Sequence, residues 1–310
     1  MTQTSQPADA VSSHWTASLP HWLQPWLQLM RLDRPIGVWL LFWPCLFGLV
    51  LGATVQDRSF LDWRDLYYVI LFALGAIVMR GAGCAFNDIV DRKIDAQVAR
   101  TRGRPIPSGR IRVGGAVRLV AGLCLVGLVI LSQFNAFAVG LGAASLTLVA
   151  AYPFMKRITW WPQAWLGLTF NWGALLGYAA QTGTLGWADA MLYAGLIFWT
   201  LGYDTIYALQ DKDDDALIGV KSTARLFGDD APRWVARFYV LAFVLILAAG
   251  YAAHMGWLFT PLMLLAGANL LWQVKKLDVK DPDLALRLFR ANRDTGALIA
   301  AAFLGGNWFF

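Results

Sequence analysis

Two sets of carboxylates stand out in a chain that is otherwise apolar. Asn87, Asp91 and Asp95 recur at i, i+4 and i+8, so a helix would carry them as one stripe. Asp204, Asp211 and Asp215 recur at i, i+7 and i+11 and give a second stripe on the same helical reading. Carboxylates stacked this closely repel one another, and near a membrane their burial is costly, so something cationic must compensate. Hard oxygen ligands, one or two per helix, with water and phosphate filling the other positions, describe Mg2+ held together with a diphosphate. An acidic helix end solvated by the cytoplasm accounts for either set alone, but poorly for two sets on one membrane face.

Basic residues accompany both sets. Arg92, Lys93, Arg102 and Arg104 follow the first, Lys156 and Arg157 stand between them in sequence, and Lys221 follows the second. Each one alone is explained by membrane topology; as a set they could grip phosphate oxygens and stabilise a departing diphosphate. Asp33-Arg34-Pro35 precedes the first apolar run, where proline is ordinary at a helix start. Arg80 is odder, because it lies inside an apolar run about two turns before Asn87, where arginine is costly unless it faces the bundle interior or snorkels. Phe170, Trp172, Tyr178, Tyr203 and Tyr207 could line a pocket and stabilise a carbocation with their π faces, although most Trp and Tyr belong to the interfacial belt and core. An EF-hand beginning at Asp211 fails, with Ala216 where Gly is required and Ser222 where Glu is required. A dinucleotide loop at Gly81-Ala82-Gly83 fails at Phe86 and has no strand before it. Cys45, Cys84 and Cys124 sit singly in apolar stretches, and His14, His21 and His254 are scattered, which excludes a zinc site, a disulfide framework and histidine acid–base chemistry.

The elements that must position these residues are membrane helices. Of 310 residues, 58% are hydrophobic and 15% charged, with mean hydropathy +0.50. Soluble domains carry roughly 45–50% apolar and about 25% charged residues, so lipid is the solvent here. About nine runs approach the roughly 20 residues a bilayer requires. They fall near 37–55, 66–86, 113–133, 136–154, 164–180, 188–209, 235–253, 257–274 and 295–310. The fold class is thus all-α, a polytopic transmembrane bundle in the lipid bilayer. Residues 1–20 are expected to be a disordered tail without an h-region, and 21–310 a single transmembrane domain. Trp22 and Trp26, one helical turn apart, suggest a short helix lying in the interface before the first span.

Charge fixes an orientation. The loops after the second, fourth, sixth and eighth runs hold the arginines and lysines, while the alternate loops carry only Arg58 and Arg64. The positive-inside rule then puts the N-terminus and both acidic segments on the cytoplasmic face. The formal charge of +6 reflects this bias and calls for no nucleic acid. Each acidic segment ends an apolar run and leads into a basic loop, a weak repeat that two related halves around one central cavity would give. An ion-coupled transporter also uses intramembrane acids and repeats, but its acids lie near the midplane rather than at helix ends beside basic loops. A membrane protein without chemistry leaves both stripes unexplained.

The motifs Asn-x-x-x-Asp-x-x-x-Asp at 87–95 and Asp-x-x-x-Asp at 211–215 resemble those of the UbiA-type intramembrane prenyltransferases. Arg-Leu-Asp-Arg-Pro-Ile-Gly at 31–37, Arg-Pro-Ile-Pro-Ser-Gly at 104–109, Tyr-Pro-Phe-Met-Lys-Arg at 152–157 and Gly-Val-Lys-Ser-Thr-Ala at 219–224 are similar to blocks of the 4-hydroxybenzoate polyprenyltransferases of ubiquinone biosynthesis. The two acidic motifs alone are shared with relatives that make haem O, menaquinone or tocopherols. The resemblance runs from about residue 29 to the C-terminus, with no departure at the acidic positions. It implies that Asn87, Asp91, Asp95, Asp211 and Asp215 hold Mg2+ and diphosphate, with Asp88 and Asp214 as weaker candidates. It further implies phosphate contacts from Lys156, Arg92 and Arg104, substrate contact at Tyr152, and Arg157 meeting the carboxylate of an aromatic acid. Polyprenyl diphosphate and 4-hydroxybenzoate are the implied substrates and a bacterial inner membrane the implied location; no obligate protein partner is evident.

Overall fold

The computed structural model describes residues 15–97, 101–217 and 219–308, without the side chains of residues 15, 17 and 213–215. The described residues are helical and contain no strand. In chain order the helices are α1 Gln24–Leu29, α2 Ile36–Thr54, α3 Trp63–Asp95, α4 Val113–Leu131, α5 Ala136–Ile158, α6 Pro162–Phe170 and α7 Trp172–Thr182. They continue with α8 Trp187–Ala208, α9 Lys212–Leu217, α10 Thr223–Phe227, α11 Ala231–Ala252, α12 Phe259–Lys276 and α13 Pro282–Trp308. Eight of the nine expected spans each lie along a single helix, with residues 309–310 of the last outside the described ones. By length and composition α2, α3, α4, α5 and the stretch Thr223–Ala252 can cross a bilayer. Most of the expected tail lies outside the described residues, but Trp15–Ser18 forms a 3-10 turn.

One span differs from expectation. The apolar run at 164–180 is broken at Asn171 into α6 and α7. No Gly or Pro marks the point, so the run reads as continuous. Asn171 is buried, and its Nδ2 lies 2.8 Å from the Gly167 carbonyl, 3.1 Å from the Leu196 carbonyl and 2.7 Å from Thr200 Oγ1. The Leu168 carbonyl on α6 accepts from Tyr193 OH of α8, and Trp172 Nε1 at the start of α7 donates to the Leu141 carbonyl of α5. In lipid a helix can break only where freed backbone groups find such partners.

Packing divides the chain into two compact units, residues 1–38 with 74–130, and residues 39–73 with 131–310. In the larger unit α2 and α7 meet through glycines. A Cβ at Gly48 would strike the Ala174 carbonyl, and one at Gly177 the Cys45 carbonyl. Small residues four apart that let backbones touch are how helices associate in lipid, where apolar burial supplies no drive. Gly48→Val is therefore expected to cost about 1–3 kcal/mol by overpacking. Heating the detergent-solubilised variant should give loss of monodisperse protein several degrees below wild type, and an unchanged midpoint would refute the close approach.

Buried polar groups fix the same unit. Trp199 Nε1 donates to Asn292 Oδ1 at 2.8 Å, Asn292 Nδ2 and Tyr239 OH both donate to Gln273 Oε1 at 2.9 Å, and Gln273 Nε2 donates to Thr295 Oγ1 at 3.0 Å. The network joins α8, α11, α12 and α13, and an unmet group there would cost several kcal/mol. Elsewhere in the unit Arg58 makes two bonds to Asp65, at 2.6 and 2.7 Å, and Gln181 Nε2 adds a third at 2.7 Å. The bonds to Asp65 hold the Arg58 guanidinium above its ordinary pKa.

In the smaller unit α1 does not pair its tryptophans on one face as expected. Trp22 precedes the helix and is exposed, whereas Trp26 packs with Leu29, Ala85, Ile106, Ile111 and Ala116. This cluster ties α1, the 101–112 segment and α4 to α3. The last turn of α1 closes with Arg31 N–H donating to the Gln28 carbonyl and Leu32 N–H to the Leu27 carbonyl, both at 3.0 Å. That pattern places its C′ residue in the left-handed region, usually Gly, yet Arg31 holds it at φ 53°.

Candidate active site

The first acidic segment lies in the smaller unit. Helix α3 runs well past its apolar part to Asp95, so the stripe read from the spacing is helical throughout. Asp88, Asp91 and Asp95 are all buried, and Asn87 is half-buried beside them. Burial of three carboxylates demands compensation, and two arginines supply part of it. Arg31 Nη2 lies 3.0 Å from Asp88 Oδ1. Arg104 Nη1 lies 3.3 Å from the same oxygen and 2.8 Å from Asp95 Oδ2. The segment carrying Arg104 is held in turn by Thr101 Oγ1, which donates to the Asp95 carbonyl, and by Arg110, which donates to Gln28 Oε1 and the Gly103 carbonyl. Arg92 and Lys93 are exposed, and Arg92 Nη1 turns back to the Ile89 carbonyl at 2.7 Å.

Arg80 lies two turns earlier on α3. Its Nε is buried without a hydrogen-bond partner among the described residues. A Cβ at Gly37 would land on the Arg80 guanidinium. Glycine at the end of the Asp33-Arg34-Pro35-Ile36-Gly37 step is thus what admits the side chain.

The second acidic segment lies in the larger unit, and here the sequence reading needs correction. Helix α8 ends at Ala208, a 3-10 turn covers Leu209–Asp211, and α9 follows. Three 3-10 steps rotate Asp211 by about 60° from its place on an unbroken α-helix. Asp204, Asp211 and Asp215 therefore do not share one continuous α-helical stripe. Asp204 and Asp211 are half-buried; the side chain of Asp215, like that of Asp214, lies outside the described residues. After α9 the chain returns to the end of α5. Lys221 N–H donates to the Lys156 carbonyl at 2.9 Å, and Lys221 Nζ to the Ile158 carbonyl at 3.1 Å. Lys156 and Tyr152 are half-buried there, and Arg157 is exposed with its guanidinium 5.9 Å from the Phe154 ring centre. Thr223 N–H donates to Gln163 Oε1, which docks α10 onto α6. Of the rings singled out, Tyr203 is buried and accepts from Thr200 Oγ1, and Tyr207 packs on Phe289 at 4.6 Å.

Among the described residues no three His, Cys, Asp or Glu side chains converge on a point able to hold a metal. Magnesium does not need such a cage. It keeps several waters and takes one or two carboxylates together with substrate phosphate. In the smaller unit, buried Asp91 and Asp95, half-buried Asn87 and the guanidinium groups already beside the carboxylates fit a metal–diphosphate pair better than a bare ion.

Comparison with known proteins shows the family and the fold. The profile of the UbiA prenyltransferase family matches residues 41–302. The chain belongs to this family. Its UbiA-type sequence is 44% identical to the mitochondrial 4-hydroxybenzoate polyprenyltransferase of Aedes aegypti over 91% of this chain and 62% of that protein. Against the proteins of that name from Caenorhabditis elegans and Bos taurus the identities are 42% and 45%, over 96% and 94% of this chain and 83% and 77% of theirs. In fold it matches the apo UbiA homolog from Aeropyrum pernix K1 with a TM-score of 0.71 at 24% identity, over 84% of this chain and 96% of that one. It matches the UbiA homolog from Archaeoglobus fulgidus bound to GPP and Mg2+ with a TM-score of 0.67 at 16% identity, over 92% and 98%. The chain is accordingly a multi-pass, all-helical membrane protein of the UbiA family. Two features of this UbiA-family chain were not legible in its sequence. They are the strained Arg31 on Asp88 and the Gly37–Arg80 contact, whose one signal was arginine inside an apolar run.

Proposed function

We propose that the chain transfers a polyprenyl group from polyprenyl diphosphate to the ring carbon ortho to the phenol of 4-hydroxybenzoate, releasing diphosphate, as a step of ubiquinone biosynthesis. The row of buried Asp88, Asp91 and Asp95 met by Arg31 and Arg104 carries this reading, because such a row suits a cation-bridged phosphate and little else at a membrane helix end. The names of the relatives supply the aromatic acid.

In this reading Asn87, Asp91 and Asp95 from one segment and Asp211 and Asp215 from the other are the ligands of Mg2+ and its diphosphate. Bound Mg2+ supplies Lewis-acid stabilisation of the leaving group. Arg104, Lys156 and Arg92 take phosphate oxygens and offset the charge that develops as the allylic C–O bond ionises. The ring carbon then bonds to the allylic cation, and loss of a ring proton restores aromaticity. Buried Tyr203 and half-buried Tyr207, both packed on Phe289, are the rings proposed to face the cation. The isoprenoid tail stays among helices or in lipid.

The carboxylate of the acid falls to Arg157 by resemblance. A specific observation favours a second carrier. Arg80 has a buried Nε without an acceptor, which a carboxylate would satisfy. The membrane is proposed to be a bacterial inner membrane with both acidic segments facing the cytoplasm, supported by the segregation of basic residues into alternate loops.

Membranes containing the protein, given polyprenyl diphosphate and a panel of phenolic acids, should form prenylated 4-hydroxybenzoate with Mg2+ and none after EDTA. Undiminished turnover in chelator would remove the metal from the reaction, and product from every acid except this one would remove the substrate assignment.

A further inference from the structure

We infer that Asp88 is a positioning residue: it holds Arg31 and Arg104 in place for the diphosphate and is not a ligand of the metal. Both guanidinium groups converge on a single oxygen, Asp88 Oδ1, at 3.0 and 3.3 Å, and the residue is only 2% exposed. A divalent ion bound there would sit about 2 Å from that oxygen and hard against two cations. Asp91 lies three residues on and Asp95 seven, so the stripe separates into two duties. Asp88 Oδ1 takes one guanidinium from the end of α1 and one from the 101–112 segment, whereas at Asp95 it is Oδ2 that meets Arg104, at 2.8 Å; the metal stays with Asp91 and Asp95 as in the proposed function.

The backbone of Arg31 gives independent support. Its left-handed φ of 53° at the C′ position of α1 is one that glycine normally fills, and a side chain there costs about 1–2 kcal/mol. A strained non-glycine residue persists where its side chain is used. Here the side chain donates to Asp88 across 57 residues of sequence. Arg104 arrives on a separate segment, fastened by Ile106 and Ile111 in the cluster around Leu29. Asp88 is thus where two separately anchored cations are brought together, and each has further donors to offer a phosphate.

The inference rests on the diphosphate chemistry proposed above, and binding of inorganic diphosphate tests it apart from turnover. In full-length protein in detergent with Mg2+, Asp88→Asn and Arg31→Gln should each weaken inorganic diphosphate binding by about tenfold, the worth of one charge-assisted bond. The double variant should be no weaker than either single one, because the two act as a unit. At saturating diphosphate the Mg2+ concentration for half-binding should stay at the wild-type value in Asp88→Asn and rise in Asp91→Asn. Arg31, partly exposed, keeps the test open if the Asp88 variant fails to fold. Wild-type diphosphate affinity in Arg31→Gln, fully additive losses, or a raised Mg2+ requirement in Asp88→Asn would each overturn the assignment. Absence of prenyl transfer by the wild type would sink the proposed function and leave this binding result standing.

Discussion

Asp91→Asn is expected to yield a folded membrane protein that forms product at least ~10²–10³-fold more slowly than wild type. The exchange preserves shape, and Asp91 is fully buried, so packing is retained. What changes is charge. An amide offers one neutral oxygen where a hard cation requires a carboxylate, and that loss falls where negative charge on the leaving diphosphate must be met. Initial rates in membranes, with recovery of monodisperse protein as the folding control, decide it. A wild-type rate would remove Asp91 from the site.

The second large effect separates Arg80 from Arg157. If Arg80 takes the carboxylate, Arg80→Ala should raise the KM for 4-hydroxybenzoate by about 10–100-fold, as loss of a bond between charged groups does. The KM for polyprenyl diphosphate should be unchanged. Gly37→Ala should give the same selective defect without touching the arginine, because its methyl group displaces the guanidinium. Arg157, exposed at the end of α5, would then show the smaller effect. A selective rise in Arg157→Ala with Arg80→Ala at wild-type values would reverse the assignment.

Much of the fold could be read from hydropathy, because in lipid every backbone group must be bonded within a helix and apolar runs therefore become helices. The break at Asn171 could not, since what permits it is a set of acceptors on α8 and α5 and a donor on α8 that no local signal reveals. The first acidic stripe was legible because α3 keeps one period from Trp63 to Asp95. The second was misread because a 3-10 turn at Leu209–Asp211 changes the period, and nothing in Leu-Gln-Asp announces it. Proximity in sequence pairs Arg92 with the first carboxylates and leaves Arg31 out. Yet Arg31 reaches Asp88 from a distant turn, while Arg92 bonds to its own helix.

The polar network of α8, α11, α12 and α13 also bears on how the protein is made. Helix α13 is synthesised after the others, and it brings Asn292 and Thr295. Until it enters the bilayer, the Trp199 indole lacks its acceptor and the Gln273 amide lacks two of its partners, a debt of several kcal/mol in hydrocarbon. Insertion therefore passes through an incomplete species that membrane proteases can recognise. A premature stop codon before residue 282 should yield a polypeptide that is cleared by the cell, rather than a shortened enzyme with residual turnover.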